Sequence, residues 1–131
     1  MKSETLAHLH DIRQAGQAVA AFVAGRTFDD YRTDELLRSG VERKFEIMGE
    51  ALNRIARDDP AVLERVRDHR DIISFRNILV HGYDSIDDRI VWDTIETDLG
   101  RLIADVDRLL APHEAAEQQA GAGDEDAASR S

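Results

Sequence analysis

Apolar residues recur along this chain at steps of three and four, the spacing that gathers them on one face of an α-helix. Leu37, Val41, Phe45, Met48, Leu52 and Ile55 form the longest stripe, and Thr33, Asp34 and Glu35 just before it suit a helix start. Leu9, Ile12, Gly16, Val19 and Val23 mark an earlier helix from Ser3 to Ala24, with Ser3 as its cap and Gly25 at its end. The stretch Arg26 to Arg32, with Phe28 and Tyr31, reads as a polar link. Asp58-Asp59-Pro60 stops the long helix, because Pro60 can open a helix but cannot continue one. A short helix from Ala61 to about Arg67 follows.

Asp71 is placed to cap a further helix whose Ile72, Phe75 and Leu79 face the core, with Gly82 as its exit. After a polar turn from Asp84 to Asp88, Trp92, Ile95, Leu99, Leu102, Val106 and Leu109 keep helical steps to the end of the last helix, Trp92 serving as a core anchor. The fold expected is therefore all-α: an antiparallel bundle of four long helices plus a short one. Residues 1–112 make the domain. Residues 113–131 carry five acidic side chains against one arginine and no large apolar side chain, and read as a disordered acidic tail.

Composition narrows the function. With 131 residues the chain fits one domain that needs no staple, and the absence of cysteine excludes disulfides, thiolate zinc sites and a cysteine nucleophile. That suits a reducing cytoplasm. The apolar run Ala18 to Ala24 is far below the ~20 residues of a bilayer span, so no membrane association is expected. A net charge of -10 opposes non-specific binding to long nucleic acid, whose affinity comes mostly from phosphate neutralisation. Any nucleic-acid contact must be local, and one stretch qualifies: Arg65, Arg67, Arg70 and Arg76 face only Asp68 and Asp71, a local excess of positive charge. Salt bridges within the chain are the competing use of those arginines.

Arg76-Asn77-Ile78-Leu79-Val80-His81-Gly82-Tyr83 adjoins this patch and combines a permanent cation, a proton carrier near neutral pH and a phenol. Arg76 and His81 are five apart, about 140° in rotation and about 7.5 Å in rise on a regular helix. They share no stripe, and can converge if the long arginine reaches across a groove and the helix loosens at Gly82, or if a second subunit brings an identical motif opposite. An arginine and a histidine can cleave RNA without a metal: the 2′-hydroxyl attacks phosphorus, histidine moves a proton, and arginine stabilises the charge on phosphate. No cofactor and no metal is needed for this. Arg67 and Arg70 are candidate RNA contacts. His8 and His10, two apart, make a poor metal pair, and Glu50 lies off the apolar stripe as a solvated carboxylate first and a supporting group of the site second. Gly49 in mid-helix costs about 1 kcal/mol relative to Ala, which points to close packing of a neighbouring helix.

The motif resembles that of the HEPN superfamily, and most closely the HepT-like toxins that pair with a minimal nucleotidyltransferase antitoxin. The likeness runs from Arg76-Asn77 through His81-Gly82-Tyr83, upstream to Ile47-Met48-Gly49-Glu50-Ala51-Leu52-Asn53 and downstream to Val91-Trp92, covering about residues 3–111. It implies a symmetric homodimer with the motif helices near its interface, and a metal-independent endoribonuclease that arrests growth. It implies Arg76 and His81 as catalytic, Asn77 as supporting, and Tyr83 as the position that the partner modifies with AMP to silence the toxin. The alternative is a non-catalytic helical adaptor that docks a nucleotidyltransferase or holds a nucleotide.

Overall fold

The longest apolar stripe folds as read. In this computed structural model, which describes residues 1–82 and 86–129, with side chains as far as residue 120, the helix Glu35–Asp58 (α3) buries Leu37, Val41, Phe45, Met48, Leu52 and Ile55 on one face. α1, Ser3–Val23, lies antiparallel to it. The Lys2 ammonium donates to the Asp58 carbonyl at one end, and the Phe22 ring lies 3.5 Å from where a Cβ on Gly40 would be at the other. α5, His69–His81, packs on another side of α3, with Phe45 and Phe75 meeting edge to face at 5.0 Å between ring centroids. The last part of the chain is one continuous helical rod: α6, Asp88–Thr94, a π-helical turn, Ile95–Leu99, and α7, Gly100–Ser129. α7 runs antiparallel along α1, since Gly16 faces Ile103 and Arg13 pairs with Asp107 further on.

The described residues thus form an all-α bundle whose core is Leu9, Ile12, Val19, Val41, Phe45, Met48, Leu52, Ile55, Ile72, Leu102, Val106 and Leu110, all without exposed surface. None of the helices is long and apolar enough to cross a membrane.

Several boundaries differ from those the sequence suggests. The polar link contains a helix, α2, Phe28–Thr33, started by a capping box in which Thr27 Oγ1 accepts from the Asp30 amide at 3.1 Å and Asp30 Oδ2 accepts from the Thr27 amide at 2.9 Å. It carries Tyr31 fully into the core, 5.6 Å from Trp92 between ring centroids. Asp34, rather than Thr33, caps α3 by accepting from the Leu37 amide at 3.0 Å. The short helix α4 covers only Pro60–Leu63, with turns from there to Asp68. α5 begins two residues before Asp71, which leaves that carboxylate in the first turn, at the positive end of the helix. At its other end the Gly82 amide donates to the Ile78 carbonyl at 2.7 Å, and a Cβ on Gly82 would lie 2.6 Å from that oxygen, so the exit needs glycine. Beyond Leu110 the helix α7 continues into the acidic stretch that the sequence reads as disordered, and buries no side chain from Ala111 to Ala120. Its many Ala, Glu and Gln residues are strong helix formers, which accounts for the continuation.

Candidate active site

α5 presents two different faces. Ile72, Phe75 and Leu79 point into the core, while Arg70, Ser74, Asn77, Ile78 and His81 are exposed at spacings that place them along one outward stripe. Asn77 and His81, four apart, are neighbours on that stripe. Arg76 sits on its flank, half-buried against α3.

The packing of Arg76 depends on Gly49. A Cβ on Gly49 would come within 2.2 Å of Arg76 Cβ and 2.5 Å of its Cγ, so α3 and α5 touch at this point through the arginine stem. The stem is clamped, and the head group emerges beside the motif: Nη1 donates to Asn77 Oδ1 at 3.2 Å, and Nε is buried without an acceptor. The guanidinium thus reaches the side chain of Asn77, which shares its stripe with His81, although the α-carbons of Arg76 and His81 lie on different faces. His81 is the last residue of α5 and is exposed. Tyr83 lies outside the described residues.

Arg76 also opens onto a groove of about 620 Å³ between α5 and α3, lined by Glu50, Asn53, Arg54, Ala56, Arg57 and Arg76. Glu50 and Arg54 form an ion pair of 2.9 Å across one turn of α3. In the sequence Asn53 stands only at the end of the resembling stretch on this helix, and Arg54 and Arg57 lie outside it, yet a signal is present: Glu50, Asn53, Arg54 and Arg57 stand at i, i+3, i+4 and i+7, a polar stripe beside Gly49.

The two further arginines proposed as RNA contacts part company. Arg70 is exposed on the outward stripe. Arg67 grips Asp105 on α7 in a fork, Nη2 to Oδ1 at 2.9 Å and Nε to Oδ2 at 3.1 Å, while its backbone amide donates to the same carboxylate at 3.0 Å. Asp105 is 1% exposed and also receives Arg108 at 3.0 Å. Burial pushes the Asp105 carboxyl up, but the Arg67 hydrogen bonds outweigh it and hold the group below the usual carboxylate range. Nearby, Arg101 clasps Asp68 at 3.1 Å and Asp98 at 3.4 Å. Burial, followed by the charges of Asp68 and Asp71, pushes the Asp98 carboxyl up. His69 is buried at the start of α5.

Comparison with known proteins gives a consistent result. Residues 12–109 match the family described as HepT-like, ribonuclease HepT-like. A protein of Thermococcus cleftensis named "Probable ribonuclease HepT" is 28% identical over 109 residues, covering 83% of this chain and 98% of the relative. Provisionally named RNases of Methanocaldococcus jannaschii and Caldanaerobacter subterraneus subsp. tengcongensis are 27% and 28% identical, over 81% and 79% of this chain and 96% and 91% of the relatives. No solved structure matches at the same level of significance.

Proposed function

Because this chain belongs to the ribonuclease HepT-like family, we propose that it is a metal-independent endoribonuclease, the toxin of a toxin–antitoxin pair, acting in the cytoplasm with Arg76 and His81 as its catalytic residues. The observation that carries this reading is the placement of the Arg76 head group at Asn77, on the face of α5 that also bears His81. The 2′-oxygen of a ribose forms a bond to the adjacent phosphorus, the bond from phosphorus to the 5′-oxygen breaks, and the fragment upstream of the cut keeps a cyclic phosphate. His81 takes the 2′-hydroxyl proton, and a proton is delivered to the leaving 5′-oxygen. Arg76 meets the charge that builds on the phosphate, and Asn77 fixes its guanidinium. Each chain offers one histidine to this face, so a homodimer supplies the second proton carrier. Arg70 extends the cationic stripe toward RNA, while Arg67 serves Asp105.

Regulation falls to a partner, a minimal nucleotidyltransferase that transfers AMP to Tyr83. Each transfer adds negative charge and bulk two residues from His81, which repels an RNA phosphate. The catalytic unit is residues 1–112, and the acidic segment 113–131 adds solubility. Expression of Arg76→Ala and His81→Ala in the host tests the toxin reading: both variants fold, as judged by their melting curves, and neither arrests growth. Arrest that persists in both overturns it. Co-expression with the partner is expected to give a mass increase in steps of AMP that disappears in Tyr83→Phe; modification that continues in that variant shows the site is elsewhere.

A further inference from the structure

Among the described residues most arginines of this acidic chain have a carboxylate partner. Arg13, Arg26, Arg32, Arg38, Arg43 and Arg54 each have a carboxylate partner, and so do Arg67, Arg89, Arg101 and Arg108. Among the described residues the arginines without one are Arg57, Arg65, Arg70 and Arg76. Carboxylates outnumber cations in the sequence by ten, so an unpaired arginine is not a matter of shortage. Arg57 and Arg76 line the same groove, where Asn53 offers an amide and Arg76 keeps a buried Nε without an acceptor.

The geometry points to this groove as a second phosphate subsite, in which Arg57 and Asn53 of α3 hold the RNA backbone phosphate next to the one that Arg76 addresses. This inference rests on the ribonuclease reading and extends it from the reacting phosphate to the strand around it. A single-stranded backbone fits better than a duplex, because the groove is a short recess between two helices, with Arg57 on one wall and Arg76 on the other. Recognition is of phosphate and not of bases, since the lining holds no aromatic side chain on which a base could stack. Glu50 sets the strength of the subsite: by pairing with Arg54 at 2.9 Å it withholds a third cation from the strand.

Binding of a labelled single-stranded RNA is measured by fluorescence anisotropy over a range of salt, using the full chain carrying His81→Ala so that nothing is cut. Adding Arg57→Ala is expected to weaken binding by roughly five- to tenfold and to reduce the slope of log affinity against log salt by about 0.7, the value for one phosphate contact on a single strand. Adding Glu50→Gln frees Arg54 and is expected to tighten binding about two- to threefold, which a damaged fold cannot produce. Arg32→Ala, the same charge change on α2 outside the groove, leaves affinity unchanged. Equal affinity in Arg57→Ala and its parent overturns the subsite, as does an equal loss in Arg32→Ala. Failure of the ribonuclease reading looks different: the chain with His81 intact leaves RNA uncut while the parent binds it with the Arg57 and Glu50 effects in place. If the parent binds no RNA, both are overturned.

Discussion

Two neighbouring regions of this molecule use arginine in opposite ways. At the start of α5, Arg67 and Arg101 are locked onto Asp105, Asp68 and Asp98, and the carboxylates they hold are largely buried. About two helical turns further on, Arg76 has a clamped stem and a head group bound, among the described residues, only to the neutral Asn77. The first arrangement spends its charge inside the fold, tying the turn before α5 to α7 across more than thirty residues of sequence. The second leaves charge available at the surface of an acidic protein, where it can act only on something that comes from outside. The difference separates scaffold from site more clearly than residue type does, since both regions consist of the same side chains.

Mutations at the two regions are expected to separate activity from stability. The largest effect is expected of Arg76→Ala, which on the proposed mechanism removes transition-state charge stabilisation and lowers the cleavage rate by about a hundred- to a thousandfold, with a change in melting temperature of only a few degrees. A comparable loss of stability with cleavage retained would move Arg76 into the scaffold class. Asp105→Asn gives the reverse: it leaves the Arg67 fork without its anion and costs about 2–3 kcal/mol in a urea titration, while the cleavage rate of the folded protein holds. An unchanged denaturation midpoint would show that the Asp105 network holds nothing together.

Gly49→Ala touches both properties. Ala improves helix propensity by about 1 kcal/mol, but the added methyl would overlap the Arg76 stem, whose Cβ and Cγ cannot swing away without moving α5. The clash dominates, and a net loss of about 1–3 kcal/mol with a displaced Arg76 is expected. A stabilised, fully active Gly49→Ala would show that the two helices have slack at this contact. The smallest effect is one of pH. The Asp105 carboxyl has a lower pKa in the folded chain than in the unfolded one, where it sits at about 3.9. Its contribution is complete above that value and is lost as pH falls through the lower folded one. Asp105→Asn should therefore flatten the acid side of the stability profile below about pH 4, and an unchanged acid slope would contradict the assignment.

Much of this was legible in the sequence where the information is local. The stripe from Leu37 to Ile55 gives α3 and its buried face because helical periodicity is a local property, and Gly49 announces a close contact because a glycine in mid-helix needs a reason. The Arg76 and His81 spacing correctly separates the two residues by face. It does not show that the arginine head bonds Asn77, since that depends on a stem wedged against another helix. The capping box of Thr27 and Asp30 was there to be read, though hidden in a stretch dominated by charged residues. The pairing of Arg67 with Asp105 was not readable: it joins distant segments, and only packing decides which of several aspartates an arginine meets. The groove lies between these cases. Its polar stripe on α3 is visible in the spacing of Glu50, Asn53, Arg54 and Arg57, but nothing local says that α5 will set Arg76 opposite.

On the proposed mechanism this face of α5 cuts RNA with its own side chains. Incubating the purified full chain with single-stranded RNA in excess EDTA and identifying the new ends tests it most directly. Fragments ending in a cyclic phosphate are expected, formed by the parent and not by His81→Ala. Cleavage that stops in EDTA, ends that carry a free 3′-hydroxyl, or a His81→Ala variant as active as its parent would contradict it.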